Sequence, residues 1–306
     1  MTVALVTGAT GFLGRYVKRE LIRRGMKAVA LCRSPGSADV LLSRTPTRHE
    51  LRVILDKVRP SLIFHLAGLT RSDVPEDIYQ ANVVLAVHLL EAALSLDRPP
   101  TVVLVGSAAE YGRSTHRDCI VRETDPCMPL SLYGISKLTQ THHGLAAHAR
   151  GLPVVVARLF NPIGAGAPRT TALGNFVSQL AATSRPGRTL RTGPLNAVRD
   201  FLDAADAARV LIDLAETPGA VGQVVNVCTG IGNTVQHLVD RLMRVADRPV
   251  AHEIEVERHG TSDLDIIIGD TTRLRKLGIV IPPPDVDAIL CQMLAAARSE
   301  TGQVAL

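Results

Sequence analysis

The chain has 306 residues, 46% apolar and only 21% charged, so burial can offset chain entropy and a disordered polymer is excluded. Its +5 formal charge comes from scattered arginines, and with 3% aromatics and no tryptophan it lacks the stacking surface of a nucleic-acid binder; arginine suits phosphorylated small molecules instead. No stretch approaches the ~20 apolar residues of a membrane span. The apolar run at 3–6 is too short for a secretory signal, and the five cysteines form no CxxC pair, which fits a reducing cytoplasm.

Residues 3–6 read as a buried strand, 13–24 as a helix and 28–32 as a second strand. The alternation continues with a helix near 49–58, a strand at 61–65, a helix at 78–96, a strand at 102–106, a helix at 132–150 and a strand at 154–159. Strands without polar alternation, separated by helices, imply a parallel sheet covered on both faces. After Phe160 a loop rich in Gly, Ala and Pro runs over 161–174 and the alternation becomes irregular. Strands near 199–202 and 224–227, with helices near 235–245 and 286–296, suggest a chain that crosses between two lobes.

Between the first strand and helix stands TGATGFLG, at 7–14. Gly8 allows a tight turn, Gly11 a close approach of backbone to a pyrophosphate, and Gly14 close helix packing, while the helix N-terminus offers free N–H groups and a positive dipole. The expected fold is therefore α/β, a Rossmann-type doubly wound parallel sheet over residues 1–160 that binds a dinucleotide. Residues 161–306 are expected to form mainly a smaller C-terminal α/β substrate lobe, with segments returning to the sheet.

With HLAG at 65–68, the spacing TGxxGxxG resembles the extended short-chain dehydrogenase/reductase family, in its nucleotide-sugar epimerase/dehydratase branch. The resemblance implies cofactor contacts at Gly8, Thr10, Gly11, Phe12 and Leu13, along the adenosine side at Leu66, Ala67 and Gly68, and at Phe160. His65 reads as a strand-end packing residue. At the end of the second strand, NAD-selective folds usually carry an acid for the ribose 2′-OH. Here Cys32, Arg33 and Ser34 follow, and the Arg33 guanidinium and Ser34 hydroxyl suit a 2′-phosphate, which favours NADP(H) and leaves NAD(H) open. Asp39 is the nearby candidate for the family's adenine-contacting acid.

Tyr133 and Lys137 form YxxxK, which places both on one face of a helix, where the ammonium favours phenolate and makes Tyr133 an acid or base near neutral pH. In VGSAAEYG, at 105–112, Ser107 stands four residues before Tyr111 and Gly112, the family's position for a hydroxyl that bonds the substrate oxygen. Asn82 matches a structural helix position. The alanines at 108 and 109 leave no acid for a 4,6-dehydratase, and Ala109 replaces the cysteine of enzymes resembling GDP-fucose synthase.

What remains is hydride transfer at a sugar carbon. VGSAAEYG resembles GDP-6-deoxy-4-keto-hexose reductases, while FNPIGA, at 160–165, resembles the 4-epimerases. The expected activity is NADP(H)-dependent reduction of a keto group on a nucleotide-linked deoxysugar; the alternatives are a 4-epimerase with tightly bound NAD and a catalytically silent dinucleotide sensor. The resemblance assigns substrate contacts to Ser107, Asn161, Asn175 and Arg199, and gives Asp203 and Asp206 structural roles. The family's arginine before Asp263 is here Gly260, with Arg258 the nearest replacement. His142 and His143 lack partners at metal-ligand spacing, so no metal is expected. A homodimer is expected, through the helices at 78–96 and 132–150.

Overall fold

Four of the five residues of the first strand, β1 (Val3–Thr7), are buried, because it has neighbours on both edges and helices on both faces. Successive residues serve opposite faces: Ala4 and Val6 join one apolar core, Leu5 another. The computed structural model describes residues 1–33, 39–43, 46–114, 118–182, 189–246, 251–255 and 266–303.

The chain continues through α1 (Phe12–Arg23), β2 (Lys27–Cys32), β3 (Val40–Leu41), α2 (Arg48–Val58), β4 (Leu62–His65), α3 (Pro75–Tyr79), α4 (Leu85–Leu94), β5 (Thr101–Ser107) and β6 (Ile120–Val121). Next come α5 (Leu132–Ala149), β7 (Val154–Leu159), β8 (Asn161–Ile163), α6 (Ala172–Ala181), β9 (Thr189–Thr192), β10 (Val198–Asp203), α7 (Ala204–Glu216) and β11 (Val224–Val227). Last are β12 (Gly232–Thr234), α8 (Val235–Val245), β13 (Ala251–Ile254), β14 (Ile266–Gly269), α9 (Thr272–Lys276) and α10 (Val286–Gln303).

The large sheet runs β11-β7-β5-β4-β1-β2-β3, with every pair parallel. This is the Rossmann-type arrangement, and the strand order reverses between β1 and β4, where such sheets open a crevice at their carboxyl ends. Side chains of α1 and α7 fill one face, and those of α2, α4 and α5 the other. A third core lies among α6, α8 and α10. No helix among the described residues is long and apolar enough to cross a membrane.

Two elements differ from the sequence pattern. The helix expected at 78–96 is interrupted: residues Gln80–Val84 form a π-turn between α3 and α4. Asn82 sits in that turn, its amide donating to Leu69 O and Ser136 Oγ while its Oδ1 accepts from Leu69 N. Extra turns of this kind occur where a side chain is redirected. The segment near 199–202 does not return to the large sheet either. As β10 it pairs with β8, β12 and β14, and the return is made by α7 and β11.

β10 is held by a buried carboxylate. Asp200 accepts from Thr229 N at 2.9 Å, Thr229 Oγ1 at 2.7 Å, Gly230 N at 2.8 Å and Gly269 N at 3.3 Å. Burial pushes its pKa up, and these bonds oppose the shift. The one side chain thereby ties β10 to the loop after β11 and to the end of β14. Asp200→Ala strands these buried donors and should lower stability by about 1–3 kcal/mol or more, read as an earlier urea or thermal midpoint.

Candidate active site

The carboxyl ends of β1, β4 and β5 lie side by side, with Thr7 in register with His65 and His65 with Leu104. Gly8 follows Thr7 with φ +68°, and a Cβ there would stand 2.7 Å from Ala67 N, so the turn and the loop after β4 close directly on each other. Beyond this turn opens a cleft of about 460 Å³. Its walls include Gly8, Thr10, Gly11, Ala67 and Gly68, then Arg33 at the end of β2, with Leu42, Pro46 and His88 farther out.

The cleft fits a dinucleotide on two grounds. α1 starts at Gly11 with no side-chain cap and no acid in its first turn, whereas α2, α5, α6, α7 and α8 are each capped by a side-chain oxygen. Its first N–H groups and positive dipole end are thus free for an anion. Gly11 itself has φ −70°, and a Cβ there would meet only Gly8 O, at 3.1 Å. The fold asks little of that glycine, while a diphosphate lying on the helix end would need the space.

Thr10, Leu66, Ala67 and Gly68 stand in or beside this loop pair, but the ring of Phe12 packs edge-on against Tyr16, Leu13 packs on the core, and neither lines the cleft. Phe160 is buried against Tyr111, with ring centroids 6.4 Å apart, away from the cleft wall. Ser34 lies outside the described residues, as do Arg258 and Gly260. Asp39 does not line the cleft: its carboxylate accepts from Ala30 N at 2.7 Å and pairs with Lys18. His65 is buried with Nδ1 2.9 Å from Thr7 Oγ1, and burial together with the Lys137 charge pushes its pKa down to about 3, so it packs as a neutral ring.

α5 carries the expected acid and cation. Its N-cap Ser131 accepts from Gly134 N at 3.0 Å, fixing the first turn, where Tyr133 is half-buried and stands close enough to Ser107 for that side chain to lower its pKa. Lys137, one turn on, is buried. Its ammonium donates to Gln140 Oε1 at 2.7 Å, and Gln140 in turn donates to Val105 O. Burial lowers the Lys137 pKa to about 8 against the opposing pull of Glu110. The Tyr133 phenol is pushed up, by burial first, with the Ser107 bond lowering it and Glu110 raising it further. Within the protein alone desolvation dominates and the phenol is kept protonated; the lowering expected of Tyr133 counts on the charge of an oxidised nicotinamide as well as that of Lys137.

The three candidate substrate residues of the second lobe stand on separate elements and make local bonds. Asn161 Nδ2 donates to Asp200 O at 2.9 Å, Asn175 Oδ1 accepts from Gln179 Nε2 at 2.6 Å, and Arg199 Nη1 donates to Val198 O at 2.9 Å. Asp203 caps α7 through Ala205 N, and Asp206 pairs with Arg209.

Beyond Ala108 and Ala109, the turn after Ser107 carries an acid that the motif left without a role, Glu110. That carboxylate is wholly buried, with Oε1 accepting from Ser107 N at 2.8 Å and Oε2 from Thr141 Oγ1 and Arg158 Nε, each at 2.9 Å. The spacing Ser107-x-x-Glu110 is a capping-box pattern, and it was the available signal.

The sequence profile of the NAD dependent epimerase/dehydratase family matches residues 4–228. The dTDP-6-deoxy-L-talose 4-dehydrogenase (NAD(P)(+)) of Kitasatospora kifunensis is 34% identical over 253 residues, covering 80% of this chain and 79% of that protein. A UDP-glucose 4-epimerase of Azospirillum brasilense is 29% identical over 96% of this chain and 92% of its own length. Among solved structures, RMD from Pseudomonas aeruginosa complexed with NADPH superposes with a TM-score of 0.86 at 23% identity, over 98% of this chain and all of that one, a likeness of fold.

Gly11→Ala separates fold from binding. Its thermal midpoint should stay within a few degrees of wild type, while dinucleotide affinity, followed by nicotinamide fluorescence, should fall on the order of tenfold as the methyl enters the space for the phosphates.

Proposed function

Because this chain belongs to the NAD dependent epimerase/dehydratase family, we propose that it reduces a keto group on a nucleotide-linked deoxysugar with NADP(H) as hydride donor. The observation that carries this reading is that the end of β5 and the first turn of α5 bring Tyr133 close enough to Ser107 for that side chain to lower the phenol's pKa, with buried Lys137 one helical turn on. A bound nicotinamide supplies the hydride. Ser107 then orients the carbonyl oxygen, and Tyr133, kept protonated by burial, gives that oxygen its proton, so that C=O becomes CH–OH and the tyrosinate is reprotonated from solvent. Lys137, a cation at pH 7, steadies the negative charge that passes through this site and holds the cofactor ribose.

Gly8, Gly11, Thr10, Ala67 and Gly68 would hold the diphosphate and adenosine half, with Arg33 at the 2′-phosphate. The name of the Kitasatospora relative supports chemistry at the sugar C4, since oxidation of that carbinol and reduction of the ketone are one reaction in two directions. Asn161, Asn175 and Arg199 are the proposed contacts for the nucleotide-sugar diphosphate. Pairing of two copies through α3, α4 and α5 belongs to the same reading, as Tyr79 and Ile135 leave large apolar side chains exposed there.

A second reading, 4-epimerisation with retained NAD, is favoured by the 160–165 segment and by the Azospirillum relative. The two part on stoichiometry: incubation with NADPH and 4-keto-6-deoxy nucleotide sugars should consume one NADPH per sugar reduced. Interconversion of sugar isomers with no net change in cofactor absorbance would instead establish the epimerase.

Tyr133→Phe should bind NADPH as wild type does and lose turnover on the order of 10²–10⁴-fold; near-normal kcat would sink the assignment. Arg33→Ala should weaken NADPH on the order of tenfold or more while leaving NADH affinity in place, as measured by paired titrations, and equal losses for both would rule out a 2′-phosphate contact.

A further inference from the structure

Four elements meet at one carboxylate. Glu110 lies in the 3-10 turn after β5 and binds Ser107 N on β5, Thr141 on α5 and Arg158 on β7, while the Arg158 guanidinium stacks 4.7 Å from the Tyr111 ring centroid. Both partners of the ion pair are buried, Arg158 at 4% exposure and Glu110 at 0%. The backbone has been cleared to let this happen. A methyl at Gly106 would collide with Glu110 Oε1, and one at Gly134, in the first turn of α5, would collide with Ala109 O. The helix turn bearing Tyr133 is thus pressed directly on the turn bearing Glu110.

We infer that Glu110 is a positioning residue for the reaction: its carboxylate clamps the Ser107 backbone to α5 and Arg158, and so holds Ser107 in place beside the helix turn that bears Tyr133. A buried ion pair is weak evidence of added stability, because desolvation offsets its attraction, but it fixes geometry in three directions at once. The second consequence is electrostatic. Lys137 faces Glu110 from the turn and His65 from β4, and Tyr133 faces Ser107 and Glu110. Cys127 and Tyr111 face Arg158, Cys127 also faces Glu110, and Tyr111 faces Glu123. Glu110 raises the pKa of both Lys137 and Tyr133, so it favours the ammonium and the neutral phenol, the two forms a proton-donating site requires.

The inference rests on the reductase reading for its kinetic arm only. Glu110→Gln removes the charge at constant volume. In the reductase assay kcat should fall 10–100-fold, as expected when reacting groups lose their alignment, with the dinucleotide Kd unchanged. The sign of the pH effect follows from the charge: without Glu110 both Lys137 and Tyr133 lose their protons at lower pH, so the alkaline limb of kcat moves to lower pH. A parallel measurement needs no substrate. Tyr133 is titrated by tyrosinate absorbance as the difference between each protein and its Tyr133→Phe counterpart, and Glu110→Gln should lower that midpoint.

Wild-type kcat or an unmoved Tyr133 midpoint in folded Glu110→Gln overturns the proposal. If Glu110→Gln does not fold, Glu110→Asp keeps the charge and shortens the reach; kcat should fall about tenfold or more with the Tyr133 midpoint near wild type, and wild-type kcat there overturns the clamp. Absence of turnover with every nucleotide sugar in the wild type would sink the reductase reading alone, since the tyrosine titration still decides the role of Glu110.

Discussion

Seven parallel strands must be connected by crossovers, and crossovers place helices on both faces and every carboxyl end at one edge. Almost everything functional in this chain follows from that constraint. Thr7, His65 and Ser107 end three neighbouring strands at that edge, and the loops that leave them carry the glycine turn, the 66–68 segment and the Ser107–Glu110 turn. The strand order reverses between β1 and β4, and the loops after these two strands close on each other and together form one wall of the cleft. The helix between β5 and β7 then has to start beside the end of β5, which brings Tyr133 to Ser107.

The same edge is where polar groups are buried, and each is handled differently. Asp200 is satisfied by N–H and O–H donors among the described residues; Glu110 is matched by Arg158; His65 stays neutral; Lys137 leans on Gln140. Desolvation outweighs the attraction for Lys137, whose pKa falls to about 8, and for Tyr133, whose pKa rises. At rest the site therefore holds a protonated phenol one helical turn from a cation that burial makes easier to lose.

The fold was legible because its signals are local and repeated. Apolar runs separated by helical periodicity, and a glycine triplet between the first strand and helix, lie in short windows of sequence, and the observed elements match them within a few residues over β1, β2, β4, β5, β7 and β11. Asn82 and the π-turn were not legible, since the irregularity depends on contacts with Leu69 and Ser136, the latter 54 residues away. The path of β10 was hidden for the same reason: a strand of six residues reads alike in either sheet, and only its pairing with β8 and β14 assigns it.

At the candidate site, Tyr133 and Lys137 could be singled out because their spacing puts them on one helix face, and Ser107 because VGSAAEYG resembles the family segment that follows this strand. The sequence by itself also determined which groups were present for the chemistry: a cation at 33 in place of an acid, and alanines at 108 and 109. Only the tertiary structure decided how these groups are charged. The pKa of a side chain depends on what surrounds it, and the surroundings of Tyr133 and Lys137 are assembled from β4, β5 and β7, with Glu110 contributing a charge whose partner Arg158 is 48 residues along the chain.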